Sequence, residues 1–228
     1  MEFVEFLIFI VVAMFCIILH ECAHGYVALL NGDQTARLSG RLTLNPVRHF
    51  DLVGFLLFAF FRVGYAKAVP INPSQFKNEK VGIITVALSG VTLNLLMSFF
   101  SVPIIMLLRT YLLPAMAGSI EGVRGYYLIE YVFQCVFIVG INLFLFNLIP
   151  FYPLDGYNVV EGFFGCKSSF VRWLRDYAKY IFIFTVVGFS LLSLFGVPQW
   201  LNPAYWYMTV LGGKIRELFW NIWLPLFV

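Results

Sequence analysis

Four long apolar runs, near residues 3–30, 81–108, 126–149 and 176–197, punctuate the chain. Each reaches or exceeds the roughly 20 residues that a helix needs to cross the hydrocarbon of a bilayer. Between the first two the pattern changes. In NGDQTARLSGRLTLNPVRHFD apolar and polar residues roughly alternate around Gly40 until Pro46 ends the run, which predicts a short hairpin or extended strand. LVGFLLFAFF (52–61) is apolar but too short to cross, which predicts a re-entrant or interfacial piece. VGYAKAVPINPSQF follows, kept extended by Pro70 and Pro73. The third long run ends in NLFLFNLIPFYPLDG, where Pro150 and Pro153 each remove a backbone donor and should unwind the helix ahead of Asp155. From residue 198 the tail is rich in Trp and Tyr, but Lys214, Arg216 and Glu217 interrupt it. It is expected to lie in the interface or to form one poor span.

These runs predict an all-α multi-pass membrane protein of about four to six transmembrane helices, with a short β-hairpin or re-entrant region at the cytoplasmic side. Composition agrees: of 228 residues 61% are hydrophobic and 12% charged, where a soluble domain is about a quarter charged. The start, Met1-Glu2-Phe3-Val4-Glu5, lacks the basic segment of a cleavable signal, so the first run is expected to stay in the protein. A formal charge of +3 is too small to point to nucleic acid. Placement of the charge says more. Seven of the fifteen basic residues lie between 31 and 80 and four more at Lys167, Arg172, Arg175 and Lys179, whereas the connection near 109–125 has only Arg109 and Arg124. The positive-inside bias then puts the two rich segments in the cytoplasm and the N-terminus outside, in a cell membrane. Cys16, Cys22, Cys135 and Cys166 form no close pair, and no disulfide is expected. No repeat or linker divides the chain, so residues 1–228 are read as one membrane-embedded domain.

Inside the first run, CIILHECAHGYVALL (16–30) carries two histidines and a glutamate within five positions. On a helix, residues four apart share a face, so His20 and His24 converge on one point while Glu21 lies on the adjacent flank. The spacing H-E-x-x-H offers Zn²⁺ two imidazole ligands and holds a carboxylate where it can act as a general base. Two of only three histidines fall in this pattern, in a segment where each ionisable group is expensive. A catalytic zinc takes a third protein ligand, for which Asp155, His49 and Cys16 are candidates. Asp155 is the better one, since a buried carboxylate beside two helix-breaking prolines has little structural reason unless it meets a cation. Depth agrees: His20 lies some 17 residues into the first span, about 26 Å at 1.5 Å per residue, toward the cytoplasmic end where the third span breaks. Ser89, Gly90 and Asn94 in the second span are read as helix-packing positions, the small residues allowing close approach and the amide bonding across the contact.

HECAH on the first span together with NLIPFYPLDG after a later one resembles the site-2 protease family of intramembrane zinc metalloproteases. GDQTARLSGRLTLNPVRHFD, YAKAVPINP and LSGVTLN also resemble the segments that compact prokaryotic members, without PDZ or nucleotide-sensing domains, carry between those motifs. The resemblance covers roughly residues 10–165. It implies one zinc ion held by His20, His24 and Asp155, with Glu21 activating water. It also implies a role for Asn147 in steadying the substrate carbonyl or its oxyanion. The catalytic core would then be about 3–165, followed by C-terminal spans and the aromatic tail at 170–228. Val91 departs from the pattern, standing where many relatives have proline after Ser-Gly. The expected reaction is hydrolysis of a peptide bond in or near a transmembrane segment of a membrane-protein substrate, with the active site toward the cytoplasm. An extended segment near 35–44 or 65–72 is expected to pair with the unwound substrate. The rivals are a metal transporter, which calls for further ligands on other spans, and a zinc-containing binding protein without proteolytic activity, which has no use for Glu21. Oligomeric state and any regulatory membrane partner are left open by the sequence.

Overall fold

The computed structural model describes residues 2–52, 54, 66–183, 196, 198 and 201–227, and every regular element among the described residues is helical. Among the described residues, three helices are long and apolar enough to cross a membrane. These are α1 (Glu2–Leu30), α2 (Glu79–Leu107) and α3 (Ile120–Leu148). α2 runs on through a π-helical turn at Leu108–Leu112 to Met116. The starts are set by local chemistry: the side chains of Asn78 and Ser119 accept the N–H groups of Val81 and Gly122, capping α2 and α3. α1 ends at a turn where Gly32 adopts φ +111°, a conformation that side-chain-bearing residues rarely take. Shorter helices follow α3: α4 (Asp155–Phe164), α5 (Ser169–Ile183) and α6 (Gly212–Trp223).

α2 is the central element, packed against α1, α3 and α4. Val102, Ile105, Phe137, Ile141 and Leu145 fill the α2–α3 contact and receive Phe219 from α6. The tail helix is therefore docked on the bundle. Ala13 and Cys16 of α1 meet Cys135 and Val139 of α3. Cys16 is fully buried in that seam, as a small packing residue. In lipid such contacts are held by close packing rather than by escape from water, so small residues decide how near backbones come. At Gly140 an added Cβ would strike the Ser98 hydroxyl and come within 2.7 Å of the Asn94 carbonyl.

Two expectations need correction or restriction. In place of a hairpin across 35–44, the described residues form single helical turns at Thr35–Leu38 and Pro46–His49. Short-range side-chain-to-backbone bonding outcompetes the alternating pattern: Asp33 accepts the N–H of Thr35 at 2.8 Å, and Asn45, the N-cap ahead of Pro46, accepts that of Val47 at 3.0 Å. Apart from residues 52 and 54, the re-entrant piece at 52–61 lies outside the described residues, as does the apolar core of the fourth run, 184–195, so the candidate spans number three among those described.

Residues 66–72 belong to no helix, and Asn72 at their end is extended. They are tied down at both ends. Lys67 N–H donates to the His49 carbonyl at 2.9 Å, Arg41 donates to the Lys67 and Ala68 carbonyls, and Asn72 N–H donates to Asp33 at 2.7 Å. Burial would raise the pKa of Asp33, but the donors from Asn72 and Thr35 more than offset it and hold the carboxyl below the usual aspartate value.

Candidate metal centre

The site forms where α1 nears its end, α2 has just begun and the chain turns back after α3. His20 and His24 project from one face of α1, both buried. The turn after α3 carries Asp155 to them. Ile149 leaves the helix in an extended conformation ahead of Pro150, and Asp155 opens α4. A carboxylate in the first turn of a helix is favoured by the helix dipole. Gly156 permits the tight return, since a Cβ there would lie 2.6 Å from the Ile149 carbonyl and collide with that of Leu148.

The result is a cluster in which one ligand atom from each of His20, His24 and Asp155 lies within 4.8 Å of the others. Asp155 Oδ2 is 3.1 Å from His20 Nε2 and 3.3 Å from His24 Nε2, and the two Nε2 atoms are 3.0 Å apart. His24 Nδ1 donates to the Val86 carbonyl at 2.7 Å, so in its neutral form Nε2 carries only a lone pair. Asp155 Oδ2 is buried without a regular hydrogen-bond partner. Three potential ligand atoms thus converge on one point. A divalent cation satisfies all three atoms, and two imidazoles with one carboxylate are a donor set suited to Zn²⁺ with a position left open.

Glu21 lines the same cavity, of about 300 Å³, as do Val69, Asn147 and Glu161. One oxygen of Glu21, Oε2, accepts the N–H of Val69 at 2.9 Å. Asn147 Nδ2 donates to the Leu143 carbonyl at 3.0 Å, one turn back on α3. His49 is not part of the cluster: it is buried beside Thr43, with Nε2 2.8 Å from that residue's carbonyl. Of the three candidates for third ligand, Asp155 is the one brought to the histidines.

Gly90, read as a packing position, has a more particular place. A Cβ at residue 90 would lie 2.6 Å from His24 Nε2 and 2.7 Å from two ring atoms of His20. The rings occupy space that any other residue would fill. The backbone donors and acceptors, Val69 N–H and Val86 carbonyl, carry no signal in residue type and could not be found from the sequence.

The sequence profile of Peptidase family M50 matches residues 8–192, most of the chain and all of the cluster. The chain belongs to Peptidase family M50. Similar M50-type relatives include a Bacillus subtilis protein named "Putative zinc metalloprotease YwhC", 36% identical over 143 residues. That alignment covers 63% of the chain and 63% of YwhC, less than two thirds of the relative's length. Rip2 proteins of Mycobacterium tuberculosis and Mycolicibacterium smegmatis, named in the same way, are 26% and 24% identical over 90% of the chain and 77% of their own lengths. No solved structure matches the chain. Membership of M50 together with three candidate spans places the protein in a membrane.

Proposed function

We propose that the protein is an intramembrane zinc metalloprotease that hydrolyses peptide bonds in or near the transmembrane segments of other membrane proteins. The observation that carries the reading is the buried convergence of His20, His24 and Asp155 beside Glu21 in one cavity. When bound there, zinc supplies Lewis acidity, lowering the pKa of water and polarising a carbonyl. Glu21 takes the proton from the attacking water and delivers it to the leaving nitrogen. The Val69 N–H grips Oε2 and so aims the carboxylate, leaving Oε1 for the transfer. Asn147 gives up or shares its bond to Leu143 to donate to the developing oxyanion. The non-helical 66–72 segment, bonded to Glu21 through Val69, offers the substrate a strand to pair with. Of the two segments expected to play that part, 65–72 is free of helix over its described residues 66–72, whereas 35–44 begins with the helical turn Thr35–Leu38. The active site faces the cytoplasm, with the N-terminus outside.

The test is to purify the chain with zinc, add single-span substrates and compare it with Glu21→Gln. The variant should keep its zinc and cleave about 10²–10⁴-fold more slowly. Equal product from both proteins removes Glu21 from the reaction.

A further inference from the structure

Val86 accounts for the orientation of His24, but the far side of the His20 ring meets a different partner. Asn94 is fully buried on α2, and its Nδ2 lies 2.9 Å from His20 Nδ1. Its Oδ1, equally buried, has no partner. A histidine that presents Nε2 to a cation in its neutral form holds its proton on Nδ1. An amide nitrogen facing that proton sets donor against donor. The two ends of a carboxamide are nearly equal in size, so a half-turn about its terminal bond exchanges them with little displacement of neighbours. The oxygen then accepts the Nδ1 proton.

We propose that Asn94 is the positioning residue for His20: its side-chain oxygen accepts the Nδ1 proton and so turns Nε2 toward the cation. The inference rests on the metal reading above. The spacing along α2 supports it. Val86, Gly90 and Asn94 recur every four residues on one helix face, which meets the His20–His24 face of α1. Val86 serves His24, Asn94 serves His20, and Gly90 between them makes room for both rings. A neutral amide supplies the acceptor without adding a third carboxylate beside Glu21 and Asp155. The partner of a ligating histidine's second nitrogen fixes tautomer and ring orientation, and its loss weakens metal binding about 10–100-fold.

The test uses the full chain and its Asn94→Leu and Asn94→Asp variants. Zinc affinity is measured by competition with a chelator, and ¹⁵N-histidine spectra of the zinc forms are recorded. With three histidines in the chain, His49→Gln completes the assignment. Asn94→Leu should bind zinc about 10–100-fold more weakly. Asn94→Asp, which keeps an acceptor and has no donor, should bind at least as tightly as the parent and show His20 protonated at Nδ1. Parent-like affinity in Asn94→Leu overturns the proposal, and so does weakened binding in Asn94→Asp, which decides alone if the leucine variant does not fold. A parent protein that binds no zinc overturns the metal reading itself.

Discussion

Two polar clusters, each around a buried carboxylate, lie toward opposite ends of α2, and they are built on different terms. At the far end Glu130 Oε1 accepts Arg109 Nε at 2.8 Å, Arg109 Nη2 at 2.6 Å and Gln134 Nε2 at 2.8 Å, while the guanidinium lies 5.3 Å over Trp220 of α6. Charge and hydrogen bonds balance there without help. At the near end Nε2 of each histidine and Oδ2 of Asp155 converge on one spot, an arrangement that could hold a metal ion. Both clusters are expensive in lipid, where an ionisable group needs a partner. What separates a structural cluster from a functional one is whether the protein alone completes it.

That contrast can be broken from either side. The largest effect should come from Glu21→Gln, which leaves the three ligand atoms in place. Cleavage should fall by about 10²–10⁴, the usual worth of a general base, with zinc content unchanged. The far cluster predicts the reverse pattern. Glu130→Ala leaves Arg109 without its carboxylate, and because that guanidinium is half exposed the loss is discounted to roughly 2–3 kcal/mol of stability. A lower Tm with parent-like zinc affinity is expected, and weakened zinc binding would show that the clusters are coupled.

Gly90→Ala sharpens the comparison at the near end, since its methyl must displace both imidazoles. Zinc affinity should drop about 10–100-fold, comparable to loss of an orienting contact. Tight binding in chelator competition would show that the rings can shift without harm. The smallest effect belongs to Asp33→Ala, which frees the Thr35 and Asn72 N–H groups and loosens the 66–72 segment at a cost of about 1–2 kcal/mol. Because folding lowers the pKa of Asp33, its contribution is complete above about pH 4, the ordinary aspartate value, and is lost as pH falls through the folded-state value. The gap in Tm between parent and variant should therefore close below that pH.

The helical spacing of His20, Glu21 and His24 is a local property, and any helix through those residues produces it. Three of the apolar runs were equally legible, because a span is recognised by length and composition alone. The alternation across 35–44 misled because Asp33 binds the backbone N–H of Thr35 and Asn45 caps the turn at Pro46–His49, local preferences of single side chains that outweigh a weak periodic pattern. Asn94 and Gly90 were visible as small or polar residues in a span, yet which neighbour they served depended on how α2 lies against α1.

By itself the sequence determined the membrane class, the imidazole pair with its carboxylate flank and the break that frees Asp155, since each follows from bonds and periodicities within a few turns of chain. Only the tertiary structure decided that Asp155 meets the rings, that Gly90 leaves them room and that a backbone N–H of Val69 aims Glu21. Those contacts join residues up to 135 positions apart (155 − 20). Their distances are set by how helices pack, which no local pattern encodes.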